Sequence, residues 1–375
     1  MRHRDRLTRF TWLAAALGAA GALAAIGGAV FDPGRAAFSY LAAYAAVLTL
    51  VLGALSLIMI AYVTGAHWLV PLLPLARATV GTLPLLALLF LPAVAGLHLL
   101  YPWVEPLRVA DPGIRSHLLQ KTGYLNVPFF LARAALYFAV WIGLAELLLR
   151  GGPEIRNRCG AIGLVPFAFT FSFAAIDWIL SLMPAWWSSI YGVYVWAGGF
   201  LAALAWIAVL RLFLPPEGID RWAPSDRSNT LGKLILTFLL FWLYIGFSQF
   251  LIIWIADVPL ETTWLGVRMS GSWSEISASL VLFQFAVPFA LLLPQHNRRR
   301  PAALATVAAG LLLMHYIDLY WLVLPEYSPG EVTPHWLDLA TLVGVVGLTL
   351  AFGAWRLGRL PVETPAATPE LAPWW

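Results

Sequence analysis

The chain has 375 residues, of which 61% are hydrophobic and only 11% are charged. Soluble globular domains carry roughly 25% charged residues, so this composition indicates an integral membrane protein. The net charge of +4 comes with arginines in short loops between apolar segments, where they reflect membrane orientation and do not indicate nucleic-acid binding. A single cysteine, Cys159, excludes a disulfide framework and a cysteine-ligated iron–sulfur cluster within this chain.

Apolar runs long enough to cross a bilayer, about 20 residues each, predict ten transmembrane helices in one membrane domain, residues 1–360. The first run follows an arginine-rich start, and a cleaved signal peptide is the alternative interpretation. Its apolar part exceeds the roughly 7–15 residues of a signal peptide, so we expect a retained helix. The predicted helices lie near 10–30, 36–63, 79–100, 124–149, 161–183, 186–213, 231–256, 272–294, 301–324 and 335–355.

Lysines and arginines concentrate in the loops on the same side as the N-terminus, most clearly in the basic loop 298–300. Basic loops resist translocation, so we expect a multi-pass protein with both termini in the cytoplasm. Two longer segments, 101–123 and 257–271, then lie on the outer side. The last residues, 361–375, are proline-rich and predict a disordered cytoplasmic tail.

Ionisable residues inside the spans are costly, so they usually pair, face the protein interior or conduct. Arg133 on the fourth helix and Asp177 on the fifth lie at comparable depth, given a rise of about 1.5 Å per residue, which predicts an ion pair. On the ninth helix, His315 and Asp318 are three residues apart and share a face. An imidazole beside a carboxylate can pass protons near neutral pH.

The two aspartates also begin similar strings, DWILSLMP at 177–184 and DLYWLVLP at 318–325. We therefore expect a proton path that uses both. Its outer part would be Arg133, Asp177, His315 and Asp318, and its inner part would be Glu146, Tyr137 and Gln284. A further polar cluster, the candidate for a ligand-binding site, would be formed by His98, Gln249, Asp257, Glu261 and Glu275.

Each of these candidates has a structural alternative. The arginine and aspartate can simply hold two helices together, the glutamines can serve as interhelical hydrogen-bond partners, and carboxylates near the interface can be merely solvated. No set of residues predicts a metal site, and too few histidines lie inside the spans to expect a haem between helices.

Four segments, in this order, resemble the smaller NrfD-like membrane subunit (ActF type) of alternative complex III. They are KTGYLNVPFFLAR at 121–133, DWILSLMPAWWSSIYG at 177–192, FWLYIGFSQFLIIWIADVPLETTWLGVR at 241–268 and DLYWLVLP at 318–325. The resemblance extends from the third predicted helix to the tenth. One departure is Asp257, where the family pattern leads us to expect asparagine.

The resemblance implies an all-α membrane protein with two four-helix bundles, helices two to five and six to nine, flanked by helices one and ten. It also implies a subunit of a respiratory or photosynthetic quinol:electron-acceptor oxidoreductase in a bacterial cytoplasmic membrane. Expected partners are an iron–sulfur subunit, a multihaem cytochrome c subunit, a larger NrfD-like subunit and the lipid bilayer. The chain would bind no cofactor covalently. Its ligand would be a quinone or quinol, and haem c and iron–sulfur clusters would reside in the partners.

Three other interpretations stay open. One is an NrfD-like anchor of another oxidoreductase, such as a polysulfide reductase-type complex. Another is a purely structural membrane anchor. The third is a stand-alone transporter, which would need glycine-interrupted helices at mid-depth; helices five, seven and nine do not predict such breaks.

Overall fold

A computed structural model describes residues 2–184, 186–213 and 224–358. The protein is 85% helical, and the described part of the chain contains ten helices long and apolar enough to cross a membrane. The predicted all-α membrane fold is therefore confirmed. The ten spans are α1 (Leu7–Ala29), α2 (Pro33–Thr64), α3 (Trp68–Ala95), α4 (Val127–Arg150), α5 (Pro153–Leu182), α6 (Tyr191–Leu210), α7 (Ser228–Ala256), α8 (Trp273–Leu292), α9 (Pro301–Glu326) and α10 (Trp336–Leu357).

Spans α3 and α5 differ most from the predicted ones. Span α3 begins at Trp68 and ends at Ala95, whereas the hydropathy pattern placed it near 79–100. Span α5 begins at Pro153, eight residues before the predicted 161, because its first turns carry the charged residues Glu154, Arg156 and Arg158. The predicted tail 361–375 lies outside the described residues.

Span α3 is interrupted, and proline explains the interruptions. Short helices Leu73–Val80, Leu83–Leu88 and Leu91–Ala95 each carry a proline in their first two positions. Proline lacks the amide hydrogen needed to continue a preceding helix but suits a helix start. Spans α5, α7 and α9 run without a comparable break, while α8 contains one π-helical segment, Leu280–Ala286.

The helices pack as two bundles that meet at several helix pairs. In the first bundle α2 packs against α3 and α5, and α4 packs against α3 and α5. In the second, α6 packs against α7 and α9, and α8 packs against α7 and α9. Span α2 also contacts α6, α9 and α10, so it is the most buried of the spans. Span α1 is the most exposed and packs mainly along α10.

Glycines permit the close crossings between these helices. At the joint between the bundles, a Cβ atom added to Gly53 of α2 would lie 2.3 Å from the carbonyl oxygen of Gly199 on α6. Between α1 and α10, a Cβ on Gly18 would lie 2.5 Å from the backbone nitrogen of Leu348. Small residues at such crossings let membrane helices approach to backbone contact.

One end of the bundles carries the long connections, residues 96–126, 257–272 and 327–335, and is called the long-loop end below. Two surface helices lie there, Pro112–Gln120 and Pro259–Arg268. Both buried aspartates lie toward this end, because α5 and α9 enter it at their C-termini. The fold therefore brings Arg133, Asp177, His315 and Asp318 to one side of the membrane domain.

Candidate functional site

The first polar centre surrounds Asp177, which is fully buried (0% exposed) near the end of α5. Arg133 of α4 binds it with two hydrogen bonds, Nε to Oδ2 at 2.7 Å and Nη2 to Oδ1 at 3.0 Å. Tyr137, one turn further along α4, donates to Oδ2 at 2.7 Å. The predicted ion pair is confirmed. We call Tyr124, Arg133, Tyr137, Asp177 and Ser181 the Asp177 cluster.

The sequence around Arg133 explains why its side chain is held in place. Asn126 caps α4 by accepting a hydrogen bond from the Phe129 amide at 3.0 Å, which fixes the first turn. The guanidinium lies 3.9 Å from the ring centre of Tyr124 and 4.4 Å from that of Phe129. It also donates to the Tyr124 carbonyl oxygen at 3.0 Å. These cation–π contacts and hydrogen bonds satisfy the cation from several sides.

The loop residues beside this cluster also respond to burial. Burial, followed by the charge of Asp177, raises the pKa of Tyr124 to about 12. Burial lowers the pKa of Lys121, whose ammonium donates to the Pro184 carbonyl oxygen at 2.5 Å. On the opposite side, Ser181 donates to the Asp177 carbonyl oxygen and accepts from the Trp103 indole at 3.1 Å. The cluster is thus closed by loops, and the charged groups of Arg133 and Asp177 are paired within it.

The second polar centre surrounds Asp318 of α9, which is 2% exposed. Tyr194 of α6 donates to Oδ1 at 2.6 Å, and the Trp242 indole of α7 donates to Oδ2 at 3.2 Å. Both donors are neutral, and no salt bridge among the described residues involves Asp318. We call Tyr194, Trp242, His315 and Asp318 the Asp318 cluster.

His315 lies one turn before Asp318 and is 3% exposed. Its Nε2 atom is 3.2 Å from the Ala46 carbonyl oxygen and 3.0 Å from the Thr49 hydroxyl, both on α2. A carbonyl oxygen can only accept a hydrogen bond, so Nε2 carries the hydrogen that points to it. The other ring nitrogen, Nδ1, is then an acceptor, and it has no hydrogen-bond partner within the described residues.

Gly198 of α6 separates the free ring nitrogen from the carboxylate. A Cβ atom added to Gly198 would lie 3.4 Å from Asp318 Oδ2 and 3.6 Å from His315 Nδ1. The two polar atoms are therefore no more than 7.0 Å apart, the sum of 3.4 and 3.6. Because glycine has no side chain, a small notch remains between them. The predicted pairing of His315 with Asp318 is therefore indirect, across this notch.

A cavity of about 430 Å³ lies directly behind the Asp318 cluster, between α6, α7, α8, α9 and the surface helix Pro259–Arg268. Tyr194 and Trp242 form part of its wall and also hydrogen-bond the carboxylate. Gln249 lines it as well, and its Oε1 accepts a hydrogen bond from Ser188. Pockets of this size suit small ligands. Asp177 lines neither this cavity nor a smaller one of about 20 Å³ between α2, α4, α5 and α6.

The expected inner part of a proton path is not continuous in the structure. Tyr137 belongs to the Asp177 cluster itself, because its hydroxyl reaches the carboxylate. Glu146 is half-exposed and forms ion pairs with Arg150 at 2.6 Å and Arg356 at 3.9 Å. Gln284 is 1% exposed in the π-helical segment of α8, and its Oε1 has no partner among the described residues.

Most residues of the expected second polar cluster lie at the surface. His98 is exposed in the helix Leu97–Leu100, which follows the end of α3. Asp257 and Glu275 are exposed and Glu261 is half-buried, the last two in the first turns of short helices. Their positions near helix ends explain this, since carboxylates there reach solvent and favour the helix N-terminus. Of the five, Gln249 alone lines the cavity.

Two further buried ion pairs were not predicted from the sequence. Arg35 of α2 binds Asp338 of α10 at 2.5 Å, and Ser39 donates to the same carboxylate at 2.5 Å. Arg268, 1% exposed, binds Glu326 at 3.2 Å. Burial lowers the pKa of Arg268, and the nearby Glu326 acts in the opposite direction. Each arginine lies at a span boundary, where hydropathy cannot distinguish a buried cation from a loop residue.

Fold and site together define a multi-pass membrane protein with two buried carboxylate centres, one paired with a cation and one held by neutral donors. No protein-family model and no curated protein matches the chain.

Proposed function

We propose that this chain is the smaller NrfD-like membrane subunit of a quinol:electron-acceptor oxidoreductase of the alternative complex III class. It would lie in a bacterial cytoplasmic membrane with both termini in the cytoplasm, and the long-loop end would face outward. Its partners would be an iron–sulfur subunit, a multihaem cytochrome c subunit and a larger NrfD-like subunit. The four resembling segments support this assignment, and three of them carry Arg133, Asp177 and Asp318.

Within that complex, the chain would carry protons released when quinol is oxidised, and Asp318 would be the carrier. The observation that carries this proposal is the surroundings of Asp318: a buried carboxylate bound by two neutral donors, beside an unpartnered imidazole nitrogen. A proton carrier must change its charge without leaving another charge stranded. Protonating Asp318 strands no cation, because none is bound to it.

The relay would use side chains on both sides of Asp318. On one side Tyr194 connects Oδ1 to the cavity. On the other, His315 presents Nδ1 across the notch at Gly198. An imidazole can accept a proton at one ring nitrogen and release the proton of the other, so His315 suits the step that follows the carboxylate. Thr49 and the Ala46 carbonyl hold the ring in this orientation.

The Asp177 cluster favours a second, structural role. Two hydrogen bonds from Arg133 and one from Tyr137 compensate its charge. Protonating Asp177 would leave Arg133 buried without its counter-ion, which is costly. We therefore propose that this cluster holds α4 against α5. This is the structural alternative that the sequence left open for the arginine and the aspartate.

The class of complex can be tested by gentle detergent purification of the tagged chain from its native membrane. We expect c-type haem absorption and iron–sulfur signals in electron paramagnetic resonance to co-purify with it, together with a second, larger NrfD-like chain. Purification of the chain alone, with neither signal, from membranes in which it is expressed at native level would contradict the proposed function.

A further inference from the structure

The cavity behind Asp318 has the walls of a binding site for a planar ring. Seven aromatic residues line it: Tyr191, Tyr194, Trp242, Phe247, Phe250, Trp264 and Trp321. Several of these rings are fixed from behind. Trp264 stacks on Trp186 with ring centres 4.1 Å apart, and Arg268 lies 4.2 Å from the Trp264 ring centre. Rigid aromatic walls suit stacking of a flat ring.

The cavity is reached from the lipid-facing side of the second bundle. Three of its lining residues, Phe247, Ala278 and Val281, are exposed on the surface of α7 and α8 that would contact lipid. A ligand that enters there must first dissolve in the bilayer. This favours a lipid-soluble molecule over a water-soluble one.

The polar groups of the cavity differ in the hydrogen-bond donors and acceptors that they leave free for a ligand. Tyr194 already donates its hydrogen to Asp318, so its oxygen can only accept a further hydrogen bond. Ser277 donates to the Arg268 carbonyl oxygen at 2.7 Å and accepts from the Trp321 indole at 2.8 Å, so its hydrogen and one of its two lone pairs are already used. Gln249 accepts from Ser188 through Oε1, which leaves its amide nitrogen as a donor.

From these walls and groups we infer that the cavity binds the ring of a lipid-soluble hydroquinone, with one ring hydroxyl donating to the Tyr194 oxygen. A hydroquinone hydroxyl can donate to Tyr194, whereas a quinone carbonyl cannot. The site is therefore selective for the reduced form of the ligand. The identity of the ligand rests on the proposed function, while the selectivity rests on the hydrogen bond between Tyr194 and Asp318.

The test is equilibrium dialysis of the purified full-length chain in detergent. The probes are decylubiquinone and 2-methyl-1,4-naphthoquinone, each in its oxidised and reduced form under argon. We expect at least one reduced probe to bind about five-fold more tightly than its oxidised form, the ratio that one hydrogen bond provides. Equal affinity for the two forms of both probes would overturn the inference.

Two variants separate the site from other surfaces. Tyr194→Phe removes the hydroxyl, and with it both the acceptor for the ring hydroxyl and the hydrogen bond to Asp318, so the five-fold preference should fall to about one. Ala278→Trp fills the cavity from α8 and should abolish binding of both forms, whereas Leu282→Trp, exposed on the same span and outside the cavity, should bind normally. A preference retained in Tyr194→Phe contradicts the inference even if Ala278→Trp fails to fold.

A phospholipid acyl chain is the competing occupant. Native mass spectrometry showing a phospholipid that Ala278→Trp expels, together with no binding of either reduced probe, would assign the cavity to lipid and overturn the inference. The result is independent of the proposed complex. If the chain binds a reduced probe but co-purifies with no redox partner, the proposed function alone is refuted. If the chain co-purifies with redox partners but binds no reduced probe, the ligand site alone is refuted.

Discussion

The two buried aspartates occupy similar positions near the ends of α5 and α9, yet one has a cationic partner and the other has only neutral hydrogen-bond donors. Asp177 is bound by an arginine and a tyrosine, and Asp318 by a tyrosine and a tryptophan. The difference originates in the neighbouring helix. Span α4 supplies Arg133, whereas α8, in the corresponding place of the second bundle, has no basic residue. The same local string therefore forms a fixed ion pair in one bundle and a neutral hydrogen-bonded acid in the other.

This comparison separates stability from proton transfer. A carboxylate in an ion pair is useful for holding helices together, because neither partner can be neutralised without stranding the other. A carboxylate held by neutral donors lacks that constraint. The 430 Å³ cavity and the free imidazole nitrogen of His315 both lie beside Asp318 and not beside Asp177. We therefore expect substitutions in the first cluster to affect folding and substitutions in the second to affect turnover.

The largest effect on stability is expected for Arg133→Leu, which leaves Asp177 buried without its cation. Breaking a buried pair in this way costs about 3–5 kcal/mol, measured as the loss in unfolding free energy in detergent. Arg108→Leu is the matched control, since Arg108 pairs with Glu105 on the surface. An exposed pair contributes at most about 1 kcal/mol. Equal losses of unfolding free energy in the two variants would show that the buried pair does not stabilise the contact between α4 and α5.

A smaller difference is expected between the two aspartate-to-asparagine variants. Asp177→Asn leaves the buried guanidinium of Arg133 unpaired, whereas Asp318→Asn keeps an acceptor for Tyr194 and costs about 1–3 kcal/mol for one mismatched donor at Trp242. Thermal unfolding followed by circular dichroism should therefore rank Asp177→Asn as the less stable variant. The opposite order would mean that Asp318, and not Asp177, holds its bundle together.

The smallest effect on stability is expected for Gly198→Ala. The added methyl group would make only ordinary contacts, the nearest at 3.4 Å to Asp318 Oδ2, and alanine favours a helix over glycine by about 1 kcal/mol. The melting temperature should stay the same or rise, while quinol-dependent turnover of the complex should fall because the notch between Asp318 and His315 is filled. Unchanged turnover would exclude this notch from the proton path.

The sequence was sufficient for the ten spans and for the Arg133–Asp177 pair, because hydropathy and helical rise report length and depth. The hydropathy pattern placed His98 inside a span, although α3 ends at Ala95. Hydropathy does not show that the prolines at 74, 84 and 92 begin separate short helices. It also missed Tyr194 and Trp242 as partners of Asp318. Both are aromatic residues on helices that are distant in sequence, and an aromatic residue in a span indicates interface or core as readily as hydrogen bonding.

The most direct test of the central claim is the rate of proton release during quinol oxidation by the purified complex reconstituted in liposomes. In Asp318→Asn we expect the complex to assemble and its proton release to fall at least several-fold, because the carrier can no longer take up a proton. Asp257→Asn, which removes an exposed acid at the long-loop end, should release protons as the unmodified complex does. An assembled Asp318→Asn complex with unchanged proton release would contradict the account.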